Sequence, residues 1–503
     1  MNDRIVIIGS GPGGSSAAIA CVKHGKRVLI IERGPELQST GGKRAFGHML
    51  NAIKHLDDNS PCVAGGGSAI NYGVVATPTV NDIENAVGGV ASKKVLARFG
   101  NYMNDVGKPQ AVAPTVSPAH EQIANALSKS WNIHPMIDQA MNNKSPTRPR
   151  PSNEETLLYN ACSQPDHGYR RDQLSIALKS RRVVLWTNSN VECIEESRDG
   201  WILHVAQGGA KRVVRASHVM VACGALETPR LLLASVQRGG LPRGISPHVG
   251  RHLVDHGRNE MTFLMRSGYA TEKYYGIPFL GSHEGVHIEA LPYTGIGSLS
   301  IAASTSCSRC LGYKTSSVLN LLPKWLMIDE SLSDRTFDMP CCAPCGLAAC
   351  FNPCNCVSDR MLFVVGHRTS VEGSVTIDKA GRRKTKLPEY SEDDKKAVRK
   401  VMDEIVRAVG ENVPALKRRE TFTSTDNADT QWHYGGTVRM NVNADGAVDS
   451  NLKLLDASGA PYETLIIADN SVMRTPSTFN TQTMAALLGY HAGAVVSESI
   501  IRK

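Results

Sequence analysis

Near the end of the chain, Trp432-His433-Tyr434-Gly435-Gly436-Thr437 is followed by Asp469-Asn470-Ser471-Val472 and then by Asn480-Thr481-Gln482-Thr483. A neutral imidazole, with an ordinary pKa of roughly 6.5, accepts a proton near neutral pH, and a carboxamide donates or accepts a hydrogen bond at the same oxygen. His433 and Asn480 are therefore candidates for taking a hydroxyl proton and holding the oxygen, which leaves the carbon-bound hydrogen to a separate acceptor. Taken alone, His433 in a glycine-flanked turn also fits a structural histidine, and Asn480 also fits the N-cap of a helix over 481–495. A cap at that place can coexist with catalysis, because the helix dipole then faces developing negative charge.

The opposite end of the chain announces where such an acceptor would bind. Ile5-Val6-Ile7-Ile8 is a continuous apolar run, as a strand buried on both faces of a parallel sheet requires, and it leads into Gly9-Ser10-Gly11-Pro12-Gly13-Gly14. In this G-x-G-x-x-G pattern Gly9 permits a tight turn, Gly11 lets the backbone approach a pyrophosphate, and Gly14 lets the helix expected over 15–24 pack on the strand. The N–H groups at the start of that helix suit phosphate oxygens. Lys26 to Ile31 reads as the second strand and ends at Glu32, 23 residues beyond Gly9, with Arg33 beside it. An acid at that place accepts hydrogen bonds from a ribose diol and disfavours a 2′-phosphate. A second cluster, Gly65-Gly66-Gly67-Ser68-Ala69-Ile70-Asn71-Tyr72-Gly73, suits a long cofactor that extends to an isoalloxazine ring, although its composition also fits a flexible linker.

Together these residues resemble the glucose-methanol-choline (GMC) family of FAD-dependent oxidoreductases, in five blocks and in the family's order. They are the glycine fingerprint with Glu32, the loop containing Gly67, Ser68, Asn71 and Gly73, the run Val219 to Leu232, the run Val249 to His256, and the C-terminal blocks. The motif style is most similar to the sterol oxidase and short sugar dehydrogenase branches. The resemblance implies oxidation of an alcohol, with hydride passing from the carbinol carbon to flavin N5 and the proton to His433. The alcohol would be a sugar, amino sugar, sterol or other secondary-metabolite alcohol, and molecular oxygen or another acceptor would take the electrons. It further implies that Ala222, Gly224, Asp469, Asn470 and Thr481 meet the cofactor, Asp469 at its ribityl or phosphate portion, and that the backbone of Val191 meets the adenine. Two departures stand out: Thr481 replaces the proline common after the second catalytic residue, and the Gly65–Gly73 loop has no histidine, so the FAD is expected to be non-covalent. A non-redox lyase of the same fold, or a flavin- or metal-binding interaction protein, is the alternative reading.

Stepping outward to the whole chain, 503 residues exceed what one core usually supports, and 41% hydrophobic content with 45 glycines describes a loop-rich globular protein. The net charge of +9 is spread in short clusters, without the basic stripe and interleaved aromatics of a nucleic-acid footprint. The first strand begins almost at Met1, which leaves no room for a secretory leader and suggests a cytoplasmic protein. No uninterrupted apolar run of about 18 residues exists, so no membrane span is expected. Eight of the thirteen cysteines, Cys307, Cys310, Cys341, Cys342, Cys345, Cys350, Cys354 and Cys356, fall in one stretch without counterpart in the family. Unligated thiols, a metal or iron–sulfur site using Cys307, Cys310, Cys342 and Cys345, and disulfides are all compatible with that spacing.

The expected fold class is α/β. A discontinuous Rossmann-like FAD-binding domain would take residues 1–80, 185–260 and 430–503. A substrate domain on an antiparallel sheet covered by helices would take 81–184 and 261–429, with the cysteine-rich insertion at 305–357. Met361 to Val365 and Ser374 to Asp378 are expected as strands of a sheet roofing the site, and Ser391 to Val409 as a helix opened by a serine cap.

Overall fold

A computed structural model describes residues 4–36, 56–57, 60–69, 74–107, 118–135, 140–141, 173–265, 279–292, 360–412, 416–420, 429–430 and 432–501. Asn71, Gly73, Cys162, the Pro146 to Pro151 loop and the cysteine cluster lie outside them. Among the described residues, no group of three or more His, Cys, Asp or Glu side chains is arranged to hold a metal ion.

The apolar run Ile5–Ile8 forms the centre of a six-stranded sheet. Its neighbours are Val28–Ile31 and then Val183–Trp186 on one side, and His218–Val221, Pro461–Ile467 and Lys453–Leu455 on the other. All pairs are parallel except the last. Every residue of Ile5–Ile8, Val28–Ile31 and His218–Val221 is buried, because helices cover both faces of such a sheet.

The first helix runs Pro12–Lys23, three residues earlier than the sequence suggested. Pro12 explains the shift: its fixed φ and missing N–H suit the first helical position, so the glycines after it join the helix. This helix packs on the C-terminal helix, Gln482–Ile501, through glycines. A Cβ on Gly489 would sit 1.9 Å from the Gly13 carbonyl oxygen, and one on Gly493 would sit 2.3 Å from that of Ala17. By length and composition Gln482–Ile501 could cross a membrane, but 72% of its apolar window is buried inside the protein.

The second large sheet has seven strands among the described residues, and their pairings are antiparallel. Its spine is His256–Met265, Arg360–Arg368 and Val286–Pro292, with Phe363 and Val365 fully buried. The Glu392–Asn412 helix covers it with Val398, Val401, Met402, Ile405 and Val409, and opens in a reciprocal cap between Ser391 and Asp394. Ser374–Ile377 departs from expectation. Among the described residues it pairs with Arg383–Lys386 in a separate two-stranded hairpin, and Gly373 and Val375 are engaged by the backbone of Leu253 and Gly250.

Candidate active site

Backbone contacts build the phosphate end. Gly9 has φ +100°, and a Cβ there would lie 2.2 Å from the Ala222 carbonyl oxygen, so only glycine lets the first strand turn beside His218–Val221. Gly66, at φ +55°, faces Gly11 across the cradle, and a Cβ on Gly66 would lie 3.0 Å from the Gly11 Cα. The two glycine clusters, distant in sequence, therefore form one concave surface. Ser10 ties them together, because its hydroxyl accepts from Gly65 N at 3.0 Å and donates to Glu32 Oε2 at 2.6 Å.

Glu32 also accepts from the backbone of Ser10 and Gly34, and burial raises its pKa against these bonds. Ser68 donates to its own loop at Gly65 O, and Gly67 has open space around it. Arg33 turns to Glu227 at 3.5 Å, a carboxylate shared with Arg230 and Arg383. Val191 pairs with Val205 beside a bulge at Glu192, which interrupts the ladder there.

At the carboxyl end of the sheet, Asp469 is a junction. Its carboxylate accepts from Gly224 N at 2.9 Å, Thr228 Oγ1 at 2.6 Å and Ser471 N at 2.8 Å, and so caps both the Gly224–Gln237 helix and the short turn Asn470–Val472. Burial raises its pKa. Ala222 and Gly224, at φ +82°, lie in the same strand-to-helix turn. The cap of the C-terminal helix is Thr481, whose carbonyl accepts from Ala485 N, and not Asn480. Asn480 is therefore released from the capping role and projects its amide elsewhere.

A strap carries His433 to Asn480. Val254 and Gly435 exchange both backbone hydrogen bonds at 3.0 Å, and a Cβ on Gly436 would sit 2.1 Å from the His252 carbonyl oxygen. Thr437 Oγ1 donates to Ala225 O at 2.6 Å, and Val438 N donates to Ser471 O. The glycine pair thus lets one segment span the edge of the antiparallel sheet and the end of the parallel one. Trp432, with φ +60°, sits in a region that non-glycine residues rarely adopt, and it directs His433 N to Asp255 Oδ1 at 2.7 Å.

Around His433 lies a cluster of buried polar side chains. His433 Nδ1 is 3.0 Å from His256 Nδ1, and Asn480 Nδ2 is 3.5 Å from His433 Nε2. The Asn480 hydrogen bond to Glu289 favours its ionised form, as an N–H donor does, so Nδ2 faces Glu289 and the imidazole. The tautomers follow. With Asn480 Nδ2 as donor, we assign His433 the tautomer with Nε2 unprotonated and the hydrogen on Nδ1, facing His256 Nδ1. His287 packs edge-on to His256 with centroids 4.5 Å apart. Burial first, and then His287, lowers the His433 pKa to about 3, while burial and the neighbouring histidines hold His256 well below its ordinary value. Burial pushes Glu289 up to about 7, with Arg258 and the Asn480 bond opposing.

Of the expected site residues, the structure brings together His433 and Asn480, and separately Gly9 to Gly14, Glu32, Gly67, Ser68, Ala222, Gly224 and Asp469. Asp255, His256, His287 and Glu289 escaped the sequence reading. His256 ends the Val249 to His256 block, and His287 and Glu289 stand two apart in an otherwise apolar strand, where such a pair on one face is a readable signal.

The residues fit a flavin dinucleotide. The facing glycines leave a cradle that any Cβ would narrow. Among the described residues, the buried atoms Asn470 Oδ1, Ser471 Oγ, Asn480 Oδ1 and Thr483 Oγ1 lack hydrogen-bond partners, all within the stretch where a ring bearing polar edges would lie.

Comparison with known proteins agrees. A family model described as FAD dependent oxidoreductase matches residues 4–288, more than half of the chain, and one described as GMC oxidoreductase matches residues 369–489. A 2-methyl-1,2-propanediol dehydrogenase from Mycolicibacterium austroafricanum is 24% identical over 98% of this chain and 95% of its own. A truncated GMC-type inactive oxidoreductase from Acanthamoeba polyphaga mimivirus is 24% identical over 50% of this chain and 75% of its own. The fold is similar to that of pyridoxine 4-oxidase from Mesorbium loti, with a TM-score of 0.65 at 17% identity and full coverage of both chains. The chain belongs to the FAD dependent oxidoreductases, and its C-terminal part, with His433 and Asn480, is that of a GMC oxidoreductase.

Proposed function

We propose that this protein oxidises a CH–OH group of a small-molecule alcohol with FAD as its cofactor. The observation that carries the reading is His433 Nε2 set 3.5 Å from the Asn480 amide, in a chain that also carries a dinucleotide cradle. Bound FAD supplies the two-electron acceptor for the carbon-bound hydrogen.

The protein's part is the proton and the oxygen. A hydroxyl entering between His433 Nε2 and Asn480 Nδ2 donates its proton to Nε2, and Nδ2–H then donates to the oxygen as negative charge grows there. Desolvation keeps the imidazole neutral with its lone pair free, although it also lowers its basicity. Asp255 holds the His433 backbone and His256 holds its Nδ1–H, so the accepting lone pair has a fixed direction.

Gly9 to Gly14 would hold the pyrophosphate, Glu32 the ribose, and the 469–483 segment the ring end, with the FAD bound non-covalently. The natural alcohol is sought among sugars, amino sugars, sterols, diols and ring-bearing hydroxymethyl compounds, the last two being chemistries named in the relatives. Molecular oxygen or another acceptor takes the electrons. Anaerobic absorbance of the yellow protein mixed with such alcohols is the test. Bleaching is expected with the right alcohol, and product formation without bleaching points to the lyase instead.

A further inference from the structure

Glu289 is a buried carboxylate that the proton transfer does not use. It lies on the Val286–Pro292 strand and is 5% exposed. One side of it receives the Asn480 amide, whereas Oε1 has no hydrogen-bond partner among the described residues. An unsatisfied buried acceptor is costly to keep, and a donor arriving with the ligand relieves that cost.

Two contacts separate Glu289 from the point where a hydroxyl proton would leave, one to Asn480 and one from Asn480 to His433 Nε2. A donor on the carbon beside the carbinol lies roughly 3 Å from the carbinol oxygen, and its own hydrogen bond adds about 3 Å, which together span that separation. The charged and titratable groups around Glu289 are Arg258, His256, His287 and His433; Arg258 favours the ionised carboxyl, and burial holds His256 and His433 below their ordinary values.

Resting on the alcohol-oxidation reading above, we propose that Glu289 is a specificity-determining residue that selects alcohols carrying a second hydrogen-bond donor, a hydroxyl or a protonated amine, on the carbon next to the carbinol. The donor places its hydrogen on Oε1, and Asn480 and His433 then meet the reacting hydroxyl.

A matched series tests this: isobutanol, 2-methyl-1,2-propanediol and aminomethylpropanol, which differ only in a hydrogen, hydroxyl or amine at one carbon. Anaerobic flavin reduction gives kcat/KM for the FAD-loaded wild type, E289Q and E289L, and flavin content and far-UV circular dichroism report folding. The wild type should favour at least one donor-bearing alcohol over isobutanol by roughly ten- to a hundredfold. The better of the two identifies the donor. E289L should bring the ratio near unity, while E289Q, which keeps an amide oxygen, should retain the diol preference and lose any amine preference.

Equal use of all three by the wild type overturns the inference, as does bleaching by plain alcohols alone or an E289L defect that lowers all three by one factor. Those outcomes leave alcohol oxidation standing. Failure of these three and of the sugars, amino sugars, sterols and ring-bearing alcohols named above to bleach the flavin removes both readings.

Discussion

The cradle and the histidine cluster use opposite means to reach function. At the cradle the working parts are backbone atoms, and what matters is the absence of side chains: Gly9, Gly13, Gly14 and Gly66 let strands, loops and helices approach within distances that a Cβ would block. At the cluster the working parts are side chains, and what matters is how His256, Glu289, His433 and Asn480 constrain one another's hydrogens. The first fails by steric exclusion and the second by lost orientation, so their variants should fail differently.

The largest effect is expected from Gly13→Val. Its Cβ would lie 2.0 Å from the Ala468 carbonyl oxygen, and the nearest atoms are all backbone of Ala468 and Asp469, with no flexible side chain to yield. Loss of more than about 4 kcal/mol of stability is expected, with little or no bound FAD in the purified protein. A yellow Gly13→Val protein of normal melting temperature would break the comparison on the cradle side.

His433→Ala should do the reverse, retaining FAD and fold while slowing flavin reduction by roughly a hundred- to ten-thousandfold. Undiminished reduction in rapid-mixing absorbance measurements would sink the role of His433.

His256→Phe sharpens the account of the cluster, since it keeps the edge-on packing with His287 and removes only the acceptor for His433 Nδ1–H. A fall of roughly ten- to a hundredfold in reduction rate is expected, together with an altered pH profile that a purely structural role would leave in place.

The smallest expected effect is a pH slope. Burial lowers His120, His433 and His491 to about 3, so below their ordinary value of about 6.5 the unfolded chain binds more protons than the folded one. Stability is then present above about pH 6.5 and lost as pH falls, by up to about 1.4 kcal/mol per pH unit for each group. Glu289 acts in the opposite sense, since its raised folded value makes stability fall as pH rises from about 4.5 through about 7. Thermal melts between pH 7 and pH 4 should show the histidine slope, and His491→Leu should make it shallower. An unchanged slope would separate His491 from acid sensitivity.

The amino-acid order made the cradle readable because it is nearly contiguous. Ile5 to Gly14 contains strand, turn and helix start, and each glycine has a local reason to be there. The helix starts at Pro12 and not at Ser15, because the fixed φ of Pro12 suits the first helical position. At the far end, Thr481 took the cap that Asn480 also suited, because the helix begins at Gln482. Ser374–Ile377 alternates like a sheet strand, yet its edge is taken by the 250–253 segment, a competition that alternation does not reveal.

By itself the sequence determined the dinucleotide cradle, the parallel core around Ile5–Ile8 and the pairing of His433 with Asn480 as candidates, since these follow from periodicity, glycine spacing and residue chemistry. Only the tertiary structure decided which way the imidazole faces and what surrounds it. Asp255 and His256 reach His433 through the Val254–Gly435 pairing, and Glu289 reaches Asn480 from a strand about 190 residues earlier in the chain. Such contacts depend on sheet register and close glycine crossings, which are properties of packing between distant segments and leave no local trace in the order of residues.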